Sequence, residues 1–189
     1  APEAPFPAAL DDAVSAYKAL LDDGQDPKKI VIAGDSAGGG LTISLMLALK
    51  EQSIPLPATG ICLSPWVDLS FSGDSMQTNA KADAILCKES LTWLADQYLG
   101  DVAADDPRVS PLFAELNGLP PLLIQVGSDE VLLDDAVRLN KFAKKAGVDT
   151  TLEVWHGQVH VWQLMSRLIP EARQAIHSIG TFIKTHIDD

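Results

Sequence analysis

Basic residues are scarce in this sequence: 14 Lys and Arg stand against 26 Asp and Glu, for a formal net charge of −12. The cations are scattered rather than clustered. A surface of that kind repels phosphate backbones, so nucleic acid is excluded as an expected partner. Cysteine is scarcer still. Cys62 and Cys87 cannot build a disulfide framework, and they lie in segments of different character. The expectation is a reduced pair in a cytoplasmic protein. No apolar stretch approaches the ~20 residues that cross a bilayer, so no membrane span is expected. The first residues lack the charged, apolar and small-residue pattern of a secretion signal. There is no internal repeat and no low-complexity tract.

What is present reads as an ordinary globular chain. Hydrophobic residues make up 47% and charged residues 21% of 189 positions, enough for one domain with a real core. After a proline-rich opening, helical period runs from Ala8 through Leu10, Ala13, Val14, Tyr17 and Leu21, until Gly24 and Pro27 stop it. Lys29–Gly34 is a short β-branched run, the pattern of a strand buried on both faces. A helix from Ala37 to about Glu51 and a second buried strand at Ala58–Leu63 follow. From Ser64 to about Asn117 the chain is longer than a strand-to-helix connection requires, with a helical stretch at Lys88–Leu99. An excursion of that length has a job of its own. Strands at Leu122–Val126 and Thr151–Trp155 flank a helix at Asp134–Ala146, and a last helix runs from about Glu171 to His186. Strands alternating with helices predict an α/β fold, a mostly parallel sheet with helices on both faces.

The chemistry centres on Gly34-Asp35-Ser36-Ala37-Gly38, a G-x-S-x-G motif at the junction of a predicted strand and a predicted helix. A nucleophile elbow belongs in that setting. There a serine takes a strained backbone conformation that lifts its hydroxyl above the sheet. Strand and helix then approach so closely that Gly34 and Gly38 are expected to tolerate almost no side chain. The Ala37 N–H is placed to donate to an oxyanion. A phosphate-cradling loop is the rival reading, but neither G-x-G-x-x-G spacing nor a G-K-[ST] ending is present.

A serine hydroxyl is a poor nucleophile until a base takes its proton. In this arrangement the partners follow in the order serine, acid, histidine, each just past a strand end. His160 fits as the base, a short loop beyond Thr151–Trp155. His156 is nearer the strand end, whereas His177 and His186 belong to the last helix. A metal site from His156 and His160 would need a helix and a third ligand, and Gly157 argues for a loop, so no metal is expected. Three carboxylates, Asp129, Glu130 and Asp134, follow the strand Leu122–Val126, and position alone does not choose among them.

Gly34-Asp35-Ser36-Ala37-Gly38-Gly39 resembles the elbow of the hormone-sensitive-lipase family of microbial esterases, within the α/β-hydrolase fold. Ala1-Pro2-Glu3, Phe6-Pro7-Ala8-Ala9 and Asp11-Asp12 are similar to the segment that precedes it there, and Ser64-Pro65-Trp66-Val67-Asp68-Leu69 resembles the stretch after the next strand. The family's acid motif runs Asp-x-Leu-x-Asp. Glu130-Val131-Leu132-Leu133-Asp134 matches it with Glu for the first Asp, which selects Glu130 over Asp129.

The resemblance implies hydrolysis of short- to medium-chain carboxylic esters, with a small-molecule ester as substrate and no cofactor. Ser36 would be the nucleophile, His160 the base and Glu130 the acid. Residues 70–107 would contribute to a cap over the acyl pocket within a single catalytic domain spanning 1–189. Met76, Ile85, Leu86 and Leu91 in that stretch are expected mainly to pack rather than to meet substrate. The family's His-Gly-Gly-Gly motif is absent and only four of eight expected strands can be counted. The chain is therefore expected to be the C-terminal part of the fold, lacking about an N-terminal third. A homodimer through the last strand and helix is a further expectation. Two alternatives are a non-catalytic binding protein on the same fold and an inactive fragment of an esterase.

Overall fold

A computed structural model describes residues 1–187. Four strands, β1 (Val31–Asp35), β2 (Thr59–Leu63), β3 (Leu122–Gly127) and β4 (Thr150–Trp155), form one parallel sheet in the order β1-β2-β3-β4. Asp35 lies opposite Leu63, Leu63 opposite Gln125, and Gly127 opposite Trp155. All four C-terminal ends therefore fall along one edge of the sheet, where open α/β sheets place their ligand sites.

Between the strands run α2 (Ala37–Glu51) and α5 (Leu133–Lys145); α1 (Ala8–Asp22) precedes β1 and α6 (Pro170–Ile187) follows β4. Two short helices, α3 (Ser75–Thr78) and α4 (Lys88–Leu99), lie in the long β2–β3 connection. Alternation along the strands decides which helix covers which face. Cys62, Leu122, Ile124 and Val126 meet Ile43 and Met46 of α2 and Ala136, Leu139 and Ala143 of α5 in the main core. On the other face, Gln125 Nε2 donates to the Ala175 carbonyl of α6 at 3.0 Å.

The strand expected to be buried on both faces is buried on neither to that extent. Among the described residues β1 stands at a sheet edge, and Ala33 and Asp35 are exposed on the face that α2 does not cover. The two cysteines are free, Cys62 buried and Cys87 exposed. Burial pushes the Cys62 thiol up to about 12, so it packs as a small inert hydrophobe. Among the described residues, no helix is long and apolar enough to cross a membrane.

Candidate active site

Ser36 follows the last residue of β1 and precedes α2 with φ 53° and ψ −120°, a conformation that non-glycine residues rarely hold. Such backbone strain costs on the order of 1–3 kcal/mol and persists only where neighbours over-determine it. Here the Ser36 N–H donates to the Leu63 carbonyl at 2.9 Å, while the Ser36 carbonyl accepts Gly39 N–H and Trp66 N–H, each at 3.0 Å. The Ala37 N–H begins α2 and so has no acceptor within the helix. Ala37 lines the same cavity as Ser36, at the helix end where the dipole is positive.

Glycine is required at this elbow, but not at both expected positions. A Cβ on Gly34 would run into the Gly38 carbonyl, as the close approach of strand and helix predicts. A Cβ on Gly38 would meet nothing within 4 Å, which corrects the expectation that both flanking glycines are sterically obligatory. Gly38 faces a cavity instead. The crowding falls on the next residues: a Cβ on Gly39 would lie 2.8 Å from Pro65 Cβ, and one on Gly40 would strike the Trp66 carbonyl. Asp35 is exposed.

Of the three candidate carboxylates, the structure brings only Glu130 to the histidine. His160 Nδ1 and Glu130 Oε2 lie 2.8 Å apart, with the Glu130 side chain fully buried. Glu130 Oε1 accepts the Gly127 N–H and the Ser64 hydroxyl, each at 2.6 Å. Asp129 instead accepts the Ser128 hydroxyl at 2.8 Å, and Asp134 accepts the Ser75 N–H at 2.9 Å, pinning α3. His156 and His177 are exposed, and His186 Nδ1 meets the Phe182 carbonyl of its own helix. No hydrogen bond joins Ser36 Oγ to the His160 ring. Among the described residues, no three His, Cys, Asp or Glu side chains gather as metal ligands.

Sequence reasoning missed the residues that support this pair. Asn79 Nδ2 donates to the carbonyls of Ser128 and Glu130, at 3.0 and 2.8 Å. Asp83 Oδ2 accepts the Val131 N–H at 2.9 Å. The excursion after β2 thus clasps the backbone around Glu130. Only Ser64 carried a readable signal, because it stands just past the end of β2 as Ser36 stands past β1.

A buried knot fixes the start of the same excursion. Asp135 Oδ2 accepts the N–H groups of Val67 and Asp68, both at 2.9 Å. Burial, with the nearby Asp68 charge, pushes the Asp135 carboxyl up to about 8 against those two donors. Burial also raises Asp68, but hydrogen bonds from Ser70, Ser72 and Arg138 outweigh it and leave that carboxyl below its ordinary range.

Ser36 opens on a cavity of about 330 Å³. Its apolar walls include Leu69, Leu86, Leu91, Leu94, Tyr98 and Val109. Leu86 and Leu91 therefore face this space rather than serving packing alone, Met76 is buried in the neighbouring apolar cluster, and Ile85 is exposed.

The family described as alpha/beta hydrolase fold matches residues 1–164. An acetyl-hydrolase of Streptomyces hygroscopicus is 46% identical over 184 residues, covering 97% of this chain and 62% of that protein. An esterase of Acinetobacter venetianus is 43% identical over 183 residues, covering 96% and 60%. The crystal structure of an esterase from the bacterial hormone-sensitive lipase (HSL) family superposes with a TM-score of 0.97 at 50% identity, covering 98% of this chain and 63% of that one. The chain thus spans about three fifths of the length of these relatives. With the strained Ser36 elbow, the four-stranded parallel sheet and the match over residues 1–164 together, the chain belongs to the alpha/beta hydrolase fold family.

Proposed function

We propose that the protein is a serine carboxylesterase in which Ser36, His160 and Glu130 act together. The observation that carries this reading is the buried 2.8 Å His160–Glu130 pair, set along the same sheet edge as the strained Ser36 elbow. In the first step His160 Nε2 takes the Ser36 proton as Oγ attacks the ester carbonyl carbon. The carbonyl electron pair moves to oxygen, and the Ala37 N–H donates to that oxyanion. Collapse of the tetrahedral intermediate breaks the bond to the alcohol oxygen, which leaves with the proton from His160. Water then repeats the sequence on the acyl-enzyme, releasing the acid and restoring Ser36. Glu130 pairs with His160 Nδ1, fixing the tautomer of His160 and stabilising its imidazolium form. A Ser36–His160 hydrogen bond that closes only with substrate bound is ordinary for such sites.

The apolar cavity beside Ser36 suits a short- to medium-chain acyl group, and the size is that of a small-molecule site. Residues 1–189 belong in this reading to one catalytic domain, of which they form the C-terminal part, with 70–107 contributing the cap: α4 supplies Leu91, Leu94 and Tyr98 to the cavity. The intact set of three residues disfavours a non-catalytic binding protein. The test is a fluorophosphonate probe on the full-length protein, followed by peptide mass spectrometry. A single adduct on Ser36 is expected; an adduct on another serine, or none, overturns the reading.

The two free cysteines support a reducing, cytoplasmic location. Self-association through the last strand and helix has its own support. β4 ends the sheet, and Val154 and Ile176 remain exposed there, at 47% and 45%. Unpaired edges with apolar side chains are natural pairing surfaces. Sedimentation should show a dimer that Val154→Lys converts to monomer; a wild-type monomer, or a variant that stays dimeric, counts against this interface.

A further inference from the structure

We propose that Ser64 is a positioning residue for the Glu130–His160 pair, a role that rests on the esterase reading above. Its side chain is fully buried and carries one proton. That proton goes to Glu130 Oε1 at 2.6 Å, and the same hydroxyl oxygen accepts the Val161 N–H at 3.1 Å. One hydroxyl therefore ties the carboxylate to the backbone immediately after His160, reaching partners 66 and 97 positions away in the chain. Ser64 is itself held hard. It has φ 45°, its N–H donates to the Gln125 carbonyl at 2.7 Å, and its neighbour Leu63 accepts the Ser36 N–H. The residue sits between the elbow and the pair and is anchored to both.

The charge at Glu130 explains what this hydroxyl does. Glu130 Oε2 serves His160, while Oε1 accepts exactly two donors, Gly127 N–H and Ser64 O–H. Donors to a carboxylate stabilise the pair most when it carries a net negative charge, with His160 neutral and able to accept the Ser36 proton. They stabilise it less once the pair has gained a proton and lost that ability. Removing the Ser64 hydroxyl thus raises the proton affinity of the pair as a unit. It also leaves the Val161 N–H buried without an acceptor, at a left-handed residue (φ 50°) directly after His160.

The test compares variants of the full-length protein on a short-chain aryl ester. Ser64→Ala is expected to lower kcat about 10- to 100-fold while KM changes less than about threefold. The acid limb of kcat/KM should move to higher pH by about half a unit or more. Ser64→Cys, similar in size with a weaker S–H donor, should recover part of both losses. In a Glu130→Gln background, adding Ser64→Ala should cost less than about threefold, because the carboxylate through which it acts is gone. A folded Ser64→Ala variant with an unmoved acid limb, or losses that multiply in the double variant, overturns the proposal. Should Ser64→Ala fail to fold, Ser64→Cys decides: a shifted limb with reduced kcat supports the role, and a wild-type profile overturns it. Full activity in Glu130→Gln would instead sink the esterase reading of the site. An impaired Glu130→Gln beside a wild-type Ser64→Ala removes only the role of Ser64.

Discussion

Replacing Ser36 or His160 by alanine in the full-length protein is expected to lower kcat for a short-chain aryl ester by a factor of about 10⁴ to 10⁶. Residues of such a unit act in one step, so removing either costs nearly as much as removing both, and the Ser36→Ala/His160→Ala double variant should be little worse than the single ones. Glu130→Gln should cost less, about 10²- to 10⁴-fold, because the amide can still fill the space but presents the wrong donor to His160. Asp129→Asn should stay within about threefold of wild type, since Asp129 touches Ser128 and not the histidine. The contrast between these two adjacent carboxylates is the sharp part. If Asp129→Asn were the more damaging, the 2.8 Å pairing of Glu130 with His160 would not describe the working enzyme.

A second large effect is expected on stability rather than rate. Gly34→Ala should destabilise the protein by about 3 kcal/mol or more, because the new methyl meets a backbone carbonyl that cannot rotate aside. For a chain of this size that is a fall in Tm of about 6–12 °C, or failure to fold. Gly38→Ala is the same chemical change four residues on, yet its methyl enters open space and removes a glycine from the first turn of α2. It should leave Tm unchanged or slightly raised, while its intrusion beside Ser36 alters KM for bulkier acyl groups. Equal melting temperatures for the two variants would show that strand and helix are not in the contact described.

Much of this architecture was legible because its signals are local. The apolar runs ending at Gly34, Leu63, Val126 and Trp155 are read within a few residues, and each is bounded by a turn or a motif. The same holds for Ser36, whose strained turn needs glycine within two positions, and for His160, a short loop beyond its strand. Burial was less legible. The run Lys29–Gly34 is as apolar as an interior strand, but whether its second face is covered depends on neighbours and not on its own residues. Leu86 and Leu91 show the same limit. Leucine in an apolar stretch reads as core, and only the way the excursion lies over the elbow turns Leu86, just before α4, and Leu91, within it, toward a cavity. The free side of Gly38 was illegible for a related reason, since a G-x-S-x-G motif does not say from which direction the neighbouring backbone approaches.

The sequence by itself pointed to the order of strands and helices, the elbow at Ser36 and the histidine at position 160, which follow from periodicity, turn chemistry and short motifs, each complete within a stretch of chain. The preference for Glu130 over Asp129 and Asp134 came from the resemblance to the hormone-sensitive-lipase acid motif, because position alone left all three open. Only the tertiary structure decided how the site is held together. His160 meets Glu130 across 30 residues, and Ser64 meets Glu130 and Val161 across 66 and 97. Such contacts depend on the register that aligns four parallel strand ends along one edge, a property of the sheet as a whole that no single segment encodes.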